Sequence, residues 1–264
     1  MDDLDTVLVE YDSETGIGTL TMNRPDALNA LNGQLRDDII AGLQQLETAN
    51  EDADGVALRA VVLEGAGEKA FCAGADIGGF SDESAGGSSG RTHYDFIRDF
   101  PTPVIAKIDG YCLGGGLETA LACDFRLAAE GSTFGFPEVD LGIIPGAGGV
   151  QYVTKLAGPA VAKELAMRGN HISAERAADE GIINHVYDAD SFDEDVDEFV
   201  TELAGQAPLA VQAVKKSAHM AVHSGLNEGL RYDSQVFAEL LTTEDHAEGA
   251  AAFAEKRDAE FEGK

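Results

Sequence analysis

Two glutamates stand in apolar surroundings, each beside a glycine- or proline-containing turn. Glu118 follows the glycine triplet 114–116 in GYCLGGGLETALACDF, and Glu138 follows a proline in FGFPEVDLG. A buried carboxylate must shift its pKa or find a partner. A helix that begins at the glycines offers free N–H groups, which stabilise a developing oxyanion. Two such acids beside bare backbone suit acid–base chemistry next to a carbonyl.

Two more segments leave the backbone open to close approach by a ligand. They are KAFCAGADI over 69–77 and IPGAGG over 144–149. Each feature alone has an ordinary structural explanation, because glycines serve tight turns and a Pro-Glu pair commonly opens a helix. The combination of four such segments within the first 150 residues indicates a site rather than a series of turns.

Other sequence patterns favour rival functions less well. GGSSG at 86–90 matches the serine-hydrolase pattern G-x-S-x-G, but an acidic loop precedes it where that pattern needs a strand. His219 and His223 are four apart on a predicted helix, as metal ligands can be, but no third ligand is near in sequence. No G-x-G-x-x-G follows a predicted strand, which disfavours a dinucleotide site.

Strands and helices must alternate to position these segments. TVLVEY and IGTLTM, on either side of DSETG, predict a β-hairpin. Apolar residues recur every four positions and predict a helix over about 30–47. Short β-branched or apolar runs predict buried strands in LRAVVLEG, PVIAKIDG, FRLAAEG and STFGFP. The first half of the chain is therefore predicted to be an α/β core.

Helical patterns dominate the second half of the sequence. The strands are predicted to stop after about residue 145, and helices are predicted in VAKELAMRG, SAERAADEG and most of 192–262. The change in pattern near 190–208 predicts an α/β core followed by a helical C-terminal arm.

The charge balance excludes several partners. Of 264 residues, 48 are acidic and 18 are basic, a formal charge of −30 that repels nucleic acid and anionic membrane surfaces. The scattered acids predict a salt-rich cytoplasm, where counterions screen self-repulsion. Three cysteines without metal-binding spacing, an acidic N-terminus and no 18-residue apolar run predict a cytoplasmic protein that does not span a membrane.

Five ordered motifs resemble the crotonase (enoyl-CoA hydratase/isomerase) family over nearly the whole chain. They are NRPDALNAL, KAFCAGADI, PVIAKIDGYCLGGGLETALACDFRLA, FGFPEVDLGIIPGAGG and GAAAFAEKRDAEF. The resemblance implies a spiral of ββα turns with a C-terminal helical region that builds homotrimers, commonly paired into homohexamers. We therefore expect an acyl-CoA-binding spiral core over 1–195 and a helical trimerisation region over 196–264.

The resemblance assigns roles to particular residues. Ala75 and Gly115 match the family residues whose N–H groups hold the thioester oxygen of an acyl-CoA, and Glu118 and Glu138 match the two hydratase carboxylates. Relatives that only isomerise double bonds often lack one of these acids. Retention of both favours hydration of a 2-enoyl-CoA, with Glu118 as base and Glu138 as acid. An isomerase, a hydratase of a branched or functionalised acyl group, and a catalytically silent acyl-CoA-binding subunit remain alternatives.

The resemblance also implies how the CoA moiety is held. Lys69 and Lys256 match positions near the nucleotide, and Arg24 is a weaker candidate for the same role. The backbone of three residues is expected to line the pantetheine path: Ala73, Asp76 and Ile77. The chemistry requires no metal and no redox cofactor.

The sequence departs from the family pattern at two places. Lys107 and Asp109 stand where relatives more often carry small or amide residues. The segment 78–91, rich in Gly, Ser and Asp, aligns poorly and borders the acyl pocket in this family. The identity of the acyl group therefore stays open at this point.

Overall fold

A computed structural model describes residues 4–51, 53–79 and 90–264 of the chain. Strands and helices alternate through the first two thirds, and helices follow. The strands are β1 Val7–Asp12, β2 Ile17–Met22, β3 Ala60–Gly65, β4 Ala70–Cys72, β5 Val104–Ile108, β6 Tyr111–Leu113, β7 Phe125–Ala129, β8 Thr133–Gly135, β9 His171–Ser173 and β10 His185–Tyr187. The helices are α1 Gly33–Glu47, α2 His93–Asp99, α3 Gly115–Ala122, α4 Gly149–Arg168, α5 Ala174–Asp179, α6 Phe192–Ala204, α7 Pro208–His223, α8 Leu226–Leu240 and α9 Glu244–Glu255.

The larger of two sheets has the strand order β1-β2-β3-β5-β7-β10. The hairpin of β1 and β2 is antiparallel, with Val7 opposite Met22, and confirms the predicted hairpin. The remaining neighbours in this sheet are parallel. Parallel pairing requires crossover connections, and the second sheet and the helices supply them.

The smaller sheet has the order β4-β6-β8-β9. Its first three strands are parallel, and β9 is antiparallel to β8. From β3 to α4 the chain repeatedly adds one strand to the larger sheet, one strand to the smaller sheet and then a helix. This repeat is the ββα spiral that the family resemblance implied.

The central strands of the larger sheet, β3, β5 and β7, are buried on both faces, as their apolar sequences require. Along β3, Val61 and Leu63 join the main core cluster, whereas Ala60 and Val62 join a second cluster on the opposite face. This alternation follows the two-residue period of a strand. Helix α1 packs against β1 and β2, while the apolar residues of α6 belong to the second cluster.

Helix α1 begins at Gly33, three residues after the predicted start near 30. The Asn32 side chain accepts a hydrogen bond from the Leu35 N–H and so caps the helix. The preceding residue, Leu31, forms a parallel β-bridge with Ala75 and cannot be helical. The prediction of this helix is confirmed, with a later start.

The prediction that strands stop after about residue 145 is wrong. Strand β9, His171–Ser173, pairs with β8, and β10, His185–Tyr187, pairs with β7. Both are three-residue strands. Their positions are fixed by the strands they pair with, because three residues are too few to show an alternating pattern.

Helices α6 to α9 form the C-terminal part of the chain, as predicted, and α7 packs against α8. The division into a core over 1–195 and a helical region over 196–264 stays a prediction. Within the described ranges, no helix is both long enough and apolar enough to cross a membrane.

Candidate active site

Three parallel strands of the smaller sheet end at the same edge, and each leads into one part of the candidate site. The site residues Ala75, Gly115 and Glu138 follow the last residues of β4, β6 and β8 by two or three positions. Because β4, β6 and β8 are neighbours in this sheet, their carboxyl ends bring together three segments that are far apart in sequence.

The backbone N–H groups of Ala75 and Gly115 lie close together. A Cβ atom placed on Gly115 would lie 3.7 Å from the Ala75 nitrogen. Leu31 bonds to the Gly74 carbonyl and the Asp76 N–H, so the intervening Ala75 N–H points away from Leu31. Gly115 is the first residue of α3, and its N–H belongs to the unpaired first turn of a helix. The two donors can therefore hold one oxyanion.

Glu118 lies in the first turn of α3, with only 3% of its surface exposed. Burial raises the pKa of its carboxyl, and hydrogen bonds from two backbone N–H groups partly oppose that shift. Oε1 accepts these bonds from Ala147 at 2.7 Å and from Gly149 at 2.9 Å. The turn IPGAGG therefore partners the buried carboxylate through Oε1, so that Oε2 is available to a reacting group.

Glu138 lies on a short 3₁₀ helix, Pro137–Leu141, directly after β8. Its side chain is half-buried, and Oε2 is buried without a hydrogen-bond partner among the described residues. Burial raises the pKa of Glu138 to about 7, and the nearby charge of Glu118 adds to the shift. A carboxyl with this pKa holds or releases a proton near neutral pH, as acid–base catalysis requires.

Gly114 brings Glu138 against the start of α3. Its backbone, with φ +51° and ψ −125°, is accessible mainly to glycine. A Cβ atom at Gly114 would lie 2.8 Å from Glu138 Oε1. The Gly114 carbonyl also accepts the Glu118 N–H at 3.0 Å. Gly114 is thus in contact with Glu138 and hydrogen-bonded to the backbone of Glu118. Both carboxylates lie at the N-terminus of α3.

The side chains behind Gly115 fix its peptide group. Thr119 Oγ1 donates to the Gly115 carbonyl at 2.8 Å and lies 3.2 Å from His93 Nε2. Burial lowers the pKa of His93 to about 3, so the ring is neutral at ordinary pH. Because the single Thr119 hydroxyl proton goes to Gly115, Nε2 carries the hydrogen that it donates to Thr119.

The sequence indicated neither the hydrogen-bond partners of Glu118 nor the side chains that fix the Gly115 peptide group. IPGAGG is distinctive as a glycine-rich turn, but no pattern links Ala147 and Gly149 to Glu118, 29 and 31 residues away. His93 and Thr119 are isolated polar residues in apolar elements, and no motif distinguishes them from ordinary core residues.

Four of the predicted CoA-binding residues belong to the single segment 69–77: Lys69, Ala73, Asp76 and Ile77. Lys69 is exposed and lines a cavity of about 420 Å³ with Leu28 and the acidic residues Asp26 and Glu68. The Leu28 carbonyl accepts the Ala73 N–H, so this cavity adjoins the segment that leads to the oxyanion donors.

The rest of this segment leads to the protein surface, where a short 3₁₀ helix, Ile77–Gly79, begins. Asp76 is half-buried, its N–H bonds to Leu31, and its carboxylate accepts from Arg24 Nη2 at 3.0 Å. Arg24 also donates to the Ala30 carbonyl, so its contacts in the structure are those of a structural residue. Ile77 is 61% exposed.

Lys256 directly follows α9, in the C-terminal part of the chain. It is exposed at the end of α9 and is not among the residues that line the cavity beside Lys69. The chain after α9 packs near residues 54–59, where Arg59 donates to the Phe261 carbonyl. The role of Lys256 stays a prediction.

The other residues singled out in the sequence lie outside the site. Lys107 forms an ion pair with Asp193 of α6 at 2.6 Å, which places this departure from the family pattern behind the larger sheet. Asp109 lies near the same ion pair, since the charges of Asp193 and Lys107 both act on its carboxyl. Burial is the main cause of its raised pKa.

The rival serine and histidine patterns gain no support. His219 and His223 line a separate cavity of about 360 Å³ beside α2. Across the described residues, no group of three His, Cys, Asp or Glu side chains is placed to hold a metal. Of GGSSG at 86–90, residues 86–89 lie outside the described residues.

The sequence profile of the enoyl-CoA hydratase/isomerase family matches residues 12–264. The chain therefore belongs to the crotonase, or enoyl-CoA hydratase/isomerase, family. A crystal structure of enoyl-CoA hydratase subunit I from Geobacillus kaustophilus superposes with a TM-score of 0.89 at 36% identity, covering 100% of both chains.

Curated relatives are similar over the same length. A probable enoyl-CoA hydratase of Mycobacterium bovis is 36% identical over 97% of this chain and 98% of the relative. The short-chain-enoyl-CoA hydratase of Clostridium acetobutylicum is 34% identical over 98% of each chain. The crotonyl-CoA hydratase of Syntrophomonas wolfei is 35% identical over 96% of this chain and 97% of the relative.

Proposed function

We propose that the protein is an enoyl-CoA hydratase, a hydro-lyase that adds water across the C2=C3 bond of a 2-enoyl-CoA to give 3-hydroxyacyl-CoA. The observation that carries the proposal is the convergence of two desolvated carboxylates, Glu118 and Glu138, on the helix terminus where the Ala75 and Gly115 amides meet. The names of relatives similar over the whole chain support the same reaction.

The proposed mechanism begins with the thioester oxygen, which accepts hydrogen bonds from Ala75 and Gly115. Glu118 takes a proton from water as the water oxygen bonds to C3, and the C2=C3 electrons move toward the carbonyl to form an enolate. Glu138 then gives its proton to C2, and the enolate returns to a thioester. Protons exchanged with solvent restore the starting carboxyl states. The reverse reaction exchanges the two roles.

The proposed interactions have magnitudes appropriate to catalysis. Each oxyanion donor contributes about 3–4 kcal/mol, or about a hundred- to a thousandfold in rate. A positioned acid or base contributes about a hundred- to ten-thousandfold more. Because only protons and water move, we infer that no metal and no redox cofactor takes part.

We infer that the CoA moiety enters beside Lys69. The cavity there adjoins Ala73, two residues before Ala75, and the backbone continues through Asp76 to the exposed Ile77. The pantetheine chain is proposed to follow this backbone. Lys256 remains a proposed nucleotide contact, which a neighbouring subunit could supply because it lies outside the cavity of its own chain.

We also infer assembly into a homotrimer or homohexamer through the helical region 196–264. Helix α8 has no buried residue, yet one of its faces is apolar. The exposed residues on that face are Leu226, Leu230, Phe237 and Leu241. An exposed apolar face of this kind marks a protein–protein interface.

A reducing, salt-rich cytoplasm is the proposed location. The cysteines Cys72, Cys112 and Cys123 are all buried and free. They act as small apolar core residues, as expected where thiols stay reduced. The net charge of −30 supports the salt-rich environment.

The function is tested with a panel of enoyl-CoA thioesters in high KCl, followed by absorbance and mass spectrometry. Crotonyl-CoA should lose its enoyl absorbance and gain the mass of one water. An isomerase would instead convert 3-enoyl-CoA to 2-enoyl-CoA without hydrating it, and a silent binding subunit would leave every thioester unchanged. Either of those results would contradict the proposal.

A further inference from the structure

Tyr94 lies beside the oxyanion donors, although no motif in the sequence indicated it. It is the second residue of α2. A Cβ atom placed on Gly115 would lie 3.1 Å from Tyr94 Oη and 3.7 Å from the Ala75 nitrogen. The phenol oxygen and the Ala75 nitrogen therefore both lie within contact distance of one point beside the Gly115 Cα.

The Tyr94 hydroxyl is a protonated donor without a protein partner. Burial raises its pKa, and the charges of Glu118 and Glu138 raise it further. The phenol thus keeps its proton throughout the working pH range. In the described part of the chain, no group forms a hydrogen bond with Oη. Because Tyr94 is half-buried and its hydroxyl has no protein acceptor among the described residues, this group can donate to a bound ligand.

The surrounding structure fixes the Tyr94 ring relative to Gly115. Thr92 and Asp95 form a reciprocal capping box that sets the start of α2. The Tyr94 ring packs on His93, with ring centroids 3.8 Å apart. His93 in turn bonds to Thr119, which donates to the Gly115 carbonyl. The phenol and the Gly115 amide therefore belong to one connected unit.

We propose that Tyr94 Oη is a third hydrogen-bond donor to the thioester oxygen, acting with the N–H groups of Ala75 and Gly115. The proposal rests on the proposed hydratase function. A donor placed at the developing oxyanion stabilises the enolate more than the ground-state thioester, so its loss lowers kcat more than it raises KM. Tyr94 is thus a catalytic residue of this chain.

The test compares Tyr94→Phe, Tyr94→Leu and the control Tyr187→Phe. Tyr187 is also half-buried with a raised pKa, but it belongs to the second core cluster behind the larger sheet. Tyr94→Phe keeps the ring and removes only the hydroxyl. We expect kcat/KM for crotonyl-CoA to fall about ten- to a hundredfold in Tyr94→Phe, mostly through kcat, and to stay unchanged in Tyr187→Phe.

Polarisation of the thioester carbonyl can be measured separately, and a change in packing alone does not alter it. Bound 4-(dimethylamino)cinnamoyl-CoA should show a red-shifted absorbance maximum in the wild type. The red shift should be equally reduced in Tyr94→Phe and Tyr94→Leu, because both lack the donor. A reduced shift in Tyr94→Leu alone would assign Tyr94 to packing and overturn the proposal. Wild-type kcat/KM and red shift in Tyr94→Phe would also overturn it.

The same measurements separate this proposal from the hydratase assignment. If the wild type hydrates no enoyl-CoA, the proposed function is wrong, and the cinnamoyl red shift still decides whether Tyr94 polarises a bound thioester. If the wild type hydrates crotonyl-CoA and Tyr94→Phe does so equally well, the function stands and only the role of Tyr94 fails.

Discussion

A buried carboxylate is stable at position 118 because the backbone of a distant turn solvates it. Ala147 and Gly149 donate two hydrogen bonds to a single oxygen of Glu118. Hydrogen bonds to a charged acceptor are stronger than those between neutral groups, and they replace much of the lost hydration. Glu138 has no such support for Oε2, and its pKa rises to about 7. The two acids therefore differ in proton affinity because their surroundings differ.

The raised pKa of Glu138 predicts a pH-dependent stability. Between the ordinary glutamate pKa of 4.5 and about 7, the folded state holds a proton that the unfolded state has released. Protonation therefore favours folding at low pH, and this contribution is lost as the pH rises through about 7. Glutamine cannot deprotonate, so Glu138→Gln should not lose this stability as the pH rises. At pH 8 its free energy of unfolding should exceed that of the wild type by about 1 kcal/mol, a figure reduced for partial solvent exposure.

Thermal unfolding across this pH range checks the prediction. The stability difference between Glu138→Gln and the wild type should grow from pH 5 to pH 8 and then level off. Asp140→Asn, a change at an exposed carboxylate two positions away, serves as the control and should show no such growth. A constant difference between Glu138→Gln and the wild type at every pH would contradict the raised pKa.

The sequence predicted the two candidate carboxylates but not their neighbours. Glu118 and Glu138 stand in distinctive motifs, so the resemblance to the family indicated both. Tyr94 and His93 lie in a seven-residue helix whose start is fixed by the Thr92 cap. Their proximity to Gly115 arises from the packing of α2 on α3, which no local pattern encodes.

At the scale of elements, the smaller sheet is the framework of the site. Strands β4, β6 and β8 are parallel neighbours, so their carboxyl ends bring the proposed oxyanion donors and Glu138 to one edge. Helix α3 begins at that edge, and its unpaired N-terminal N–H groups add a favourable potential for a developing anion. The site thus depends on strand register as much as on the identity of its residues.

Gly114→Ala should lower both the catalytic rate and the stability, although it adds only one methyl group. The new Cβ would lie 2.8 Å from Glu138 Oε1 and would displace the carboxylate. Displacement of a catalytic group by about 1 Å costs about a hundredfold in rate. The positive φ of Gly114 also predicts a loss of about 1–3 kcal/mol in the free energy of unfolding.

Gly131→Ala separates these two effects. Gly131 also has a positive φ, at +89°, but no atom lies within 4 Å of a Cβ built there. This variant should lose about 1 kcal/mol of stability and keep wild-type kcat for crotonyl-CoA. Steady-state kinetics and thermal unfolding of both variants distinguish displacement of Glu138 from backbone strain. Equal loss of kcat in Gly131→Ala would attribute the defect in Gly114→Ala to backbone strain instead of displacement of Glu138.

The elements that the sequence predicts correctly are those with a clear local periodicity of apolar residues. The hairpin of β1 and β2 and the helix α1 have clear periods, and both are confirmed. Strands β9 and β10 were missed because they are only three residues long and form by pairing with strands about 40 and 60 residues earlier. Tertiary pairing, and not local preference, creates such strands.

Across the whole molecule, charge is the dominant property. A net charge of −30 destabilises a compact chain through self-repulsion, and dissolved salt screens that repulsion. We therefore expect the melting temperature to rise as KCl increases from about 0.1 M to about 3 M. Scanning calorimetry at fixed pH measures the change. A melting temperature that is highest at low salt would contradict adaptation to a salt-rich cytoplasm.

If the apolar face of α8 is a subunit interface, one charged residue introduced into it should disrupt the oligomer. Phe237 is 64% exposed in the isolated chain and lies near the middle of that face. Phe237→Glu should lower the mass measured by light scattering toward that of one chain, since an interface cannot bury an unpaired carboxylate cheaply. Leu8→Glu, at an exposed apolar position of β1, should leave the assembly unchanged. Assembly that persists in Phe237→Glu would exclude this face as the interface.

The most direct test of the account is crotonyl-CoA hydration by Glu118→Gln and Glu138→Gln, with Glu130→Gln in an exposed turn as the control. Each site variant keeps the size of the side chain and removes its acid–base function. We predict that both stay folded, still bind a saturated acyl-CoA, and lose about a hundred- to ten-thousandfold in kcat, while the control matches the wild type. Near-wild-type turnover in either site variant would contradict the two-carboxylate mechanism.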